Sequence, residues 1–311
     1  MAALTPMIDL HCDTLCEIHR RQIGLMNREL HISLDKRPRN YQICQAMAIF
    51  VPDTLRGPAA EAHFWAMYHY FMGQIRQYSN DFGWIADLNL LNQPMEKPFT
   101  GFLTIEGGAA LAGKLDNVEL FYQAGVRMMT LTWNAANELC GGVETDLGFT
   151  AFGRAVVAEM ERLGMVVDVS HLSDRAFWEL CSFAQKPFVA SHSNARGVCD
   201  HPRNLTDETF CAIRDRGGLV GLNYYNDFIV EAGNSRQIDD LLAHITHFLA
   251  LDGADTLALG SDFDGAEIPP YLDGLEKMGN LFAAMEKAGL GTEIIEKIRC
   301  TNAKNFFARV A

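Results

Sequence analysis

A (β/α)8 barrel of the TIM type is the fold this sequence predicts, as one α/β domain over residues 1–311 with extra helices at its C-terminal end. Three observations carry the expectation. Eight short apolar runs alternate with amphipathic helical stretches. Most of these runs are nearly continuous in apolar residues, the pattern of parallel strands buried on both faces. The polar residues that end them are types able to bind metals or carry protons, and a barrel gathers its strand ends on one face. The competing doubly wound sheet has little support, since no Gly-x-Gly-x-x-Gly turn or phosphate loop follows an early strand.

The first run, Met7–Leu10, ends in His11-Cys12-Asp13. The second, Cys44–Val51, precedes a helix predicted over 59–78. The third, Thr100–Ile105, ends in Glu106-Gly107-Gly108 and leads to a helix over 117–123. The fourth, Arg127–Thr132, precedes a helix over 151–163, where Ala155, Val156, Met160 and Leu163 recur at helical spacing and Gly164 suits the C-cap. The fifth, Met165–Val169, runs into Ser170-His171, then a helix over 174–183. The sixth, Phe188–Ala190, ends in Ser191-His192 and leads to a helix over 206–216, with Gly217 after it. The seventh, Leu219–Asn223, precedes a helix over 238–251. The eighth, Leu257–Leu259, ends in Ser261-Asp262-Phe263-Asp264-Gly265. Helices over 275–288, 292–300 and 301–309 complete the chain.

Composition narrows the partners. The chain is 49% hydrophobic and 21% charged, ordinary for a globular protein. Its formal charge is −13, which disfavours nucleic acid and anionic membrane surfaces. Apolar runs such as Ala46–Val51 fall far short of the roughly 20 residues that span a bilayer, so no membrane anchor is expected. Residues 1–6 carry no basic, apolar leader. Eight cysteines without a Cys-x-x-Cys pair read as free thiols, hence a cytoplasmic expectation.

On a barrel, His11, Asp13, Glu106, His171, His192 and Asp262 would converge. Residues two apart on a strand face the same way, so His11 and Asp13 can address one ion. Imidazole and carboxylate suit zinc and similar divalent cations. Three histidines and three carboxylates exceed what one catalytic zinc takes from protein, so two ions are expected, with a carboxylate able to bridge them. Asp168 lies at opposite strand parity to His171 and reads as structural. Asp264 is open between a supporting and a loop role, and Ser170, Ser191 and Ser261 read as strand-end supports. No Gly-x-Ser-x-Gly elbow is present.

These motifs, with Ala190-Ser191-His192-Ser193-Asn194-Ala195-Arg196 and Arg203-Asn204, run in order from residue 8 to 265. The sequence resembles the membrane dipeptidase (renal dipeptidase) family of metallopeptidases, in the amidohydrolase superfamily. The resemblance implies a binuclear zinc dipeptidase acting on dipeptides with a free C-terminal carboxylate, through hydroxide bridging two ions. It implies that His11 and Asp13 bind the first ion, Glu106 bridges, and His171 and His192 bind the second. Asp262 would lie at the first ion as ligand or proton carrier, making it and Glu106 the catalytic pair. Arg203 matches the arginine that holds the substrate carboxylate; Arg196 fits less well. Where some members read Leu-Thr-His, this chain has Leu131-Thr132-Trp133-Asn134. Trp133 offers only an indole donor. Trp133, Asn137 and Tyr224 are the further substrate-binding candidates, with Asn134 and Tyr225 beside them. A homodimer is expected by analogy alone. Two rivals stay open: a superfamily hydrolase acting on a lactam, cyclic amide or phosphoester, and a metal-binding protein without turnover.

Overall fold

The protein is described by a computed structural model over residues 4–93, 95–231 and 233–310. Among these residues nine strands form one parallel sheet: β1 (Thr5–Asp9), β2 (Tyr41–Phe50), β3 (Phe82–Trp84), β4 (Phe99–Glu106), β5 (Val126–Thr130), β6 (Val166–Asp168), β7 (Val189–Ala190), β8 (Leu219–Leu222) and β9 (Leu257–Leu259). Eight of them close into a barrel. β2 pairs with both β1 and β4, and β1 pairs with β9. The ring β1-β2-β4-β5-β6-β7-β8-β9 thereby returns to its start. β3 was not among the expected runs. It pairs with the first half of β4, from Phe82↔Phe99 to Trp84↔Gly101. β5 takes the second half of the same edge, from Leu103↔Val126 to Glu106↔Thr130.

The helices are α1 (Thr14–Arg21), α2 (Pro58–Gln77), α3 (Asp116–Gln123), α4 (Ala151–Leu163), α5 (Asp174–Phe183), α6 (Asp207–Asp215), α7 (Asn226–Ile229), α8 (Ile238–Ala250), α9 (Met278–Lys287), α10 (Thr292–Glu296) and α11 (Asn302–Val310). Hydroxyl caps start three of them: Thr150, Ser173 and Thr206 accept from the backbone N–H of Gly153, Ala176 and Thr209. Gly164 ends α4 at φ 81°, as expected. α1 and α7 correct the sequence expectation, which placed no helix after the first run or directly after the seventh.

Two apolar layers hold the barrel. Ile43, Met47 and Ile49 of β2 pack in the cluster that includes Phe64 and Phe71 of α2, burying the barrel wall against the helices. A second cluster takes Ile8, Ala46, Phe102, Met128, Val166, Val189, Leu219 and Ala258, with at least one residue from each barrel strand. Each of these stands next in sequence to a residue of the first cluster, so it points to the opposite face of the wall, the lumen. Phe306, Phe307 and Val310 of α11 join this cluster, and the rings of Phe102 and Phe307 meet edge-on at 5.4 Å. Thus α11 seals the N-terminal end of the barrel, leaving the C-terminal end for polar side chains.

Candidate metal centre

Glu106, the last residue of β4, is 4% exposed and divides its two oxygens. Oε1 lies 2.8 Å from His171 Nε2 and 3.5 Å from His192 Nε2. Those two nitrogens are 3.0 Å apart. Ligand atoms sharing a tetrahedral zinc at roughly 2.0–2.1 Å sit about 3.3 Å from one another, so this trio has the spacing of a ligand face. Oε2 lies 3.6 Å from His11 Nε2, which also stands 3.3 Å from Asp13 Oδ2 and 3.8 Å from Asp262 Oδ1. The rings of His11 and His192 stack at 3.8 Å. Both His11–Asp13–Asp262 and His11–Glu106–His192 are compact enough to hold an ion.

The electrostatics also call for cations. His11 Nε2 is buried among three carboxylates and makes no hydrogen bond among the described residues. Burial opposes charge on His11, yet Glu106 and then Asp13 hold its pKa well above the imidazole range. Burial likewise resists charge on Glu106, but the neighbouring histidines, His11 first, keep it an anion. Burial, then the charge of Glu106, pushes Asp13 up to about 7. Burial lowers His192 strongly and His171 as well, so both present neutral imidazoles, the form that ligates metal. A buried excess of carboxylates facing neutral imidazole lone pairs is a donor set that fits divalent cations.

Backbone strain is concentrated here. His171 and Asp262 adopt left-handed φ values of 70° and 62°. That conformation turns the chain past β6 and lets His171 reach the site although it is out of parity with Asp168. Gly265 is required by contact: a Cβ there would lie 2.1 Å from Asp13 Oδ2.

A cavity of about 1190 Å³ opens above the cluster. Asp13, Glu106, His171, Asp262, Arg203 and Trp133 are among the residues lining it. Arg203 is 6% exposed; its Nη2 donates to the His192 carbonyl at 3.3 Å, and its buried Nε has no partner among the described residues. The Trp133 ring packs edge-on against Phe50 at 5.0 Å.

The sequence matches the family described as membrane dipeptidase (peptidase family M19) over residues 1–311. The chain belongs to the membrane dipeptidase family. An uncharacterized protein in the pqqA 5′ region of Klebsiella pneumoniae is 36% identical over 209 residues, 64% of this chain and 77% of that protein. The uncharacterized dipeptidase C965.12 of Schizosaccharomyces pombe is 36% identical over 208 residues, 64% of this chain; the match spans 48% of that longer protein. A metallopeptidase from Rhodobacter sphaeroides, solved with a phosphinate mimic of the dipeptide L-Ala-D-Ala, superposes with a TM-score of 0.93 at 26% identity, covering 99% of this chain and 100% of that one.

In this membrane dipeptidase fold, two of the substrate-binding candidates stand off the cavity wall. Asn137 is committed to its own loop: Nδ2 donates to Leu131 O at 2.7 Å, and Oδ1 accepts from Leu139 N at 2.8 Å and Cys140 N at 3.4 Å. Tyr224 is 0% exposed, and its hydroxyl is buried without a partner among the described residues. Tyr225 lines the cavity instead, its hydroxyl donating to Asp227 Oδ2 at 2.7 Å. Asp264 supports the loop, accepting from Thr14 Oγ1 at 2.6 Å and from the backbone N–H of His31 at 2.6 Å and of Ile32 at 3.1 Å. Arg196 points to Asp174, at 3.0 Å, rather than into the cavity.

Two orienting roles escaped the sequence reading, which held Asn134 only as a polar candidate beside the substrate and gave Asn223 no role. Asn134 Oδ1 lies 2.8 Å from His171 Nδ1. An amide oxygen only accepts, so Nδ1 carries the ring proton and Nε2 is free to ligate. Asn223 Nδ2 donates to Asp262 Oδ2 at 3.0 Å. Both partnerships join separate strand ends and leave no local pattern.

Proposed function

We propose that this chain is a binuclear metal-dependent dipeptidase that hydrolyses dipeptides bearing a free C-terminal carboxylate. The observation that carries the reading is Glu106, whose two oxygens face two separate groups of ligand atoms on the floor of one cavity. His11, Asp13 and Asp262 would hold one ion, His171 and His192 the other, and Glu106 both. Divalent ions there, zinc by the ligand chemistry, supply Lewis acidity and a water made acidic enough to react at neutral pH. The dipeptide mimic on the Rhodobacter relative supports the substrate class.

The remaining work falls to side chains. Arg203 pairs with the substrate carboxylate through its planar fork and excludes longer peptides, which lack a carboxylate at that point. Asp262, with Oδ2 held by Asn223, takes the proton of the attacking water on Oδ1 and passes it to the leaving amine. Trp133 forms a wall of the cavity above His171. No helix among the described residues is long and apolar enough to cross a membrane. The eight free cysteines, five of them buried, support a reducing, cytoplasmic setting.

Metal analysis joined to Glu106→Gln tests this function. Protein purified without chelator should carry two ions per chain and hydrolyse dipeptides. The variant should lose bound metal and at least about a hundredfold in kcat/KM. Full activity with one ion or none would refute the two-ion reading.

A further inference from the structure

Outside the ligand set, the barrel buries two carboxylates to which the reaction assigns nothing. Asp9, at the end of β1, is 2% exposed, and Asp168, at the end of β6, is 0% exposed. A buried carboxylate is costly unless donors surround it. Here the donors follow one pattern twice.

Asp9 Oδ1 accepts from the backbone N–H of His11, two residues on, at 3.1 Å, and from that of Ser261 at 3.2 Å. Asp168 Oδ1 accepts from the backbone N–H of Ser170, again two residues on, at 3.0 Å, and from that of Ser191 at 2.9 Å. Ser261 and Ser191 immediately precede Asp262 and His192. β1 pairs with β9, and β6 with β7. Each carboxylate therefore joins two neighbouring strand ends where both deliver ligand candidates: His11 with Asp262, and His171 with His192.

Asp168 also reaches an imidazole. Ser191 Oγ donates to Asp168 Oδ2 at 2.6 Å and lies 2.7 Å from His192 Nδ1. A hydroxyl has one proton to give. With that proton spent on Asp168, Oγ accepts from Nδ1–H. The ring proton then sits on Nδ1, and the Nε2 lone pair faces Glu106 and His171. Thr130 Oγ1 supplies a further donor to Oδ2 at 2.6 Å.

We propose that Asp9 and Asp168 are positioning residues, each setting the metal affinity of one half of the centre. Asp9 governs the half built on His11 and Asp262, and Asp168, through Ser191, the half built on His171 and His192. The proposal rests on the two-ion reading above.

The test titrates metal-depleted protein with Zn2+ against a chromophoric chelator, with thermal melting followed alongside. In Asp168→Asn the new amide N–H points at Ser191 Oγ, which turns its proton toward His192 Nδ1 and leaves Nε2 protonated. One of the two binding steps should weaken about 10–100-fold while the other holds. Asp9→Asn should weaken the other step by a similar factor. His192→Ala identifies the steps: Asp168→Asn should add nothing to it, and Asp9→Asn should add its full factor. Ser191→Ala should weaken the same step as Asp168→Asn, and Ser191→Thr, which keeps the hydroxyl, should restore it. This serine pair carries the test alone if an aspartate variant does not fold. A purely structural role would lower both steps and the melting temperature together. Two ions bound in the unaltered protein, with equal weakening of both steps or none, would overturn the proposal and leave the two-ion reading standing. Fewer than two ions in the unaltered protein would overturn that reading, and the proposal with it.

Discussion

Replacing Arg203 with alanine probes the substrate clamp. Burial lowers the guanidinium pKa to about 10, which still leaves a cation at neutral pH. Among the described residues its one hydrogen bond from the side chain runs to the His192 carbonyl, and Nε is unpaired. A buried cation with unspent donors is costly until an anion meets it. One charge-assisted hydrogen bond is worth roughly 1.5–3 kcal/mol, so Arg203→Ala should lower kcat/KM by about 10- to 150-fold on a dipeptide. The same dipeptide carrying a C-terminal amide should lose much less. Lysine should rescue in part, because it restores charge without the planar fork. The assay is kcat/KM on acid and amide for the unaltered protein, Arg203→Ala and Arg203→Lys, with metal content measured because Nη2 touches the backbone of a ligand candidate. Equal losses on acid and amide, with both ions retained, would refute the clamp and leave Arg203 as a loop support stacked near Phe228, 5.2 Å away.

Asp262→Asn should suppress turnover across the pH range while substrate binding persists; a pH–rate profile matching the unaltered protein would remove Asp262 from proton transfer. Asp13, raised to about 7, holds a proton in the metal-free protein below that pH, so ion binding should release protons at pH 6 and fewer at pH 8, as read by calorimetry in buffers of different ionisation enthalpy. The same shift acts on stability. A raised folded pKa favours the metal-free fold below the unfolded value near 3.8, and that contribution is lost as pH rises through about 7, which denaturant midpoints across pH will register. Tyr224→Phe removes a buried hydroxyl without a partner and should raise stability by about 1 kcal/mol with kcat/KM unchanged; a large kinetic loss would return Tyr224 to the substrate.

The barrel was legible because its strands are apolar on both faces, and the ligand candidates because strand ends in that fold share one mouth. Legibility stopped at β3, whose three residues lie outside the closed ring and pair only with the first half of β4. Asn137 and Tyr224 show why strand position alone does not place a side chain: both lie past the end of a strand, where alternation lapses. Asn137 folds back on the carbonyl of Leu131, while Tyr224 turns toward Phe263, 5.8 Å away, and Tyr225 takes the cavity. Asn134 and Asn223 were legible only as polar residues, since their partners lie 37 and 39 positions away in the chain.

The position of α11 has a consequence for how the molecule is assembled. The lumen of the barrel is walled by segments from residue 8 to 258, yet its floor is Phe306 and Phe307. Until those rings arrive, the inner faces of all eight barrel strands have water on one side. Closing the interior therefore depends on contacts between the two ends of the chain, the kind of long-range pairing that slows folding. Residues from 302 to 310 contribute nothing to the polar mouth, but they decide when the barrel beneath it becomes dry and rigid. Truncation near residue 302 should then act on the chemistry from the opposite pole of the barrel, by loosening the strands whose far ends hold the ligand candidates.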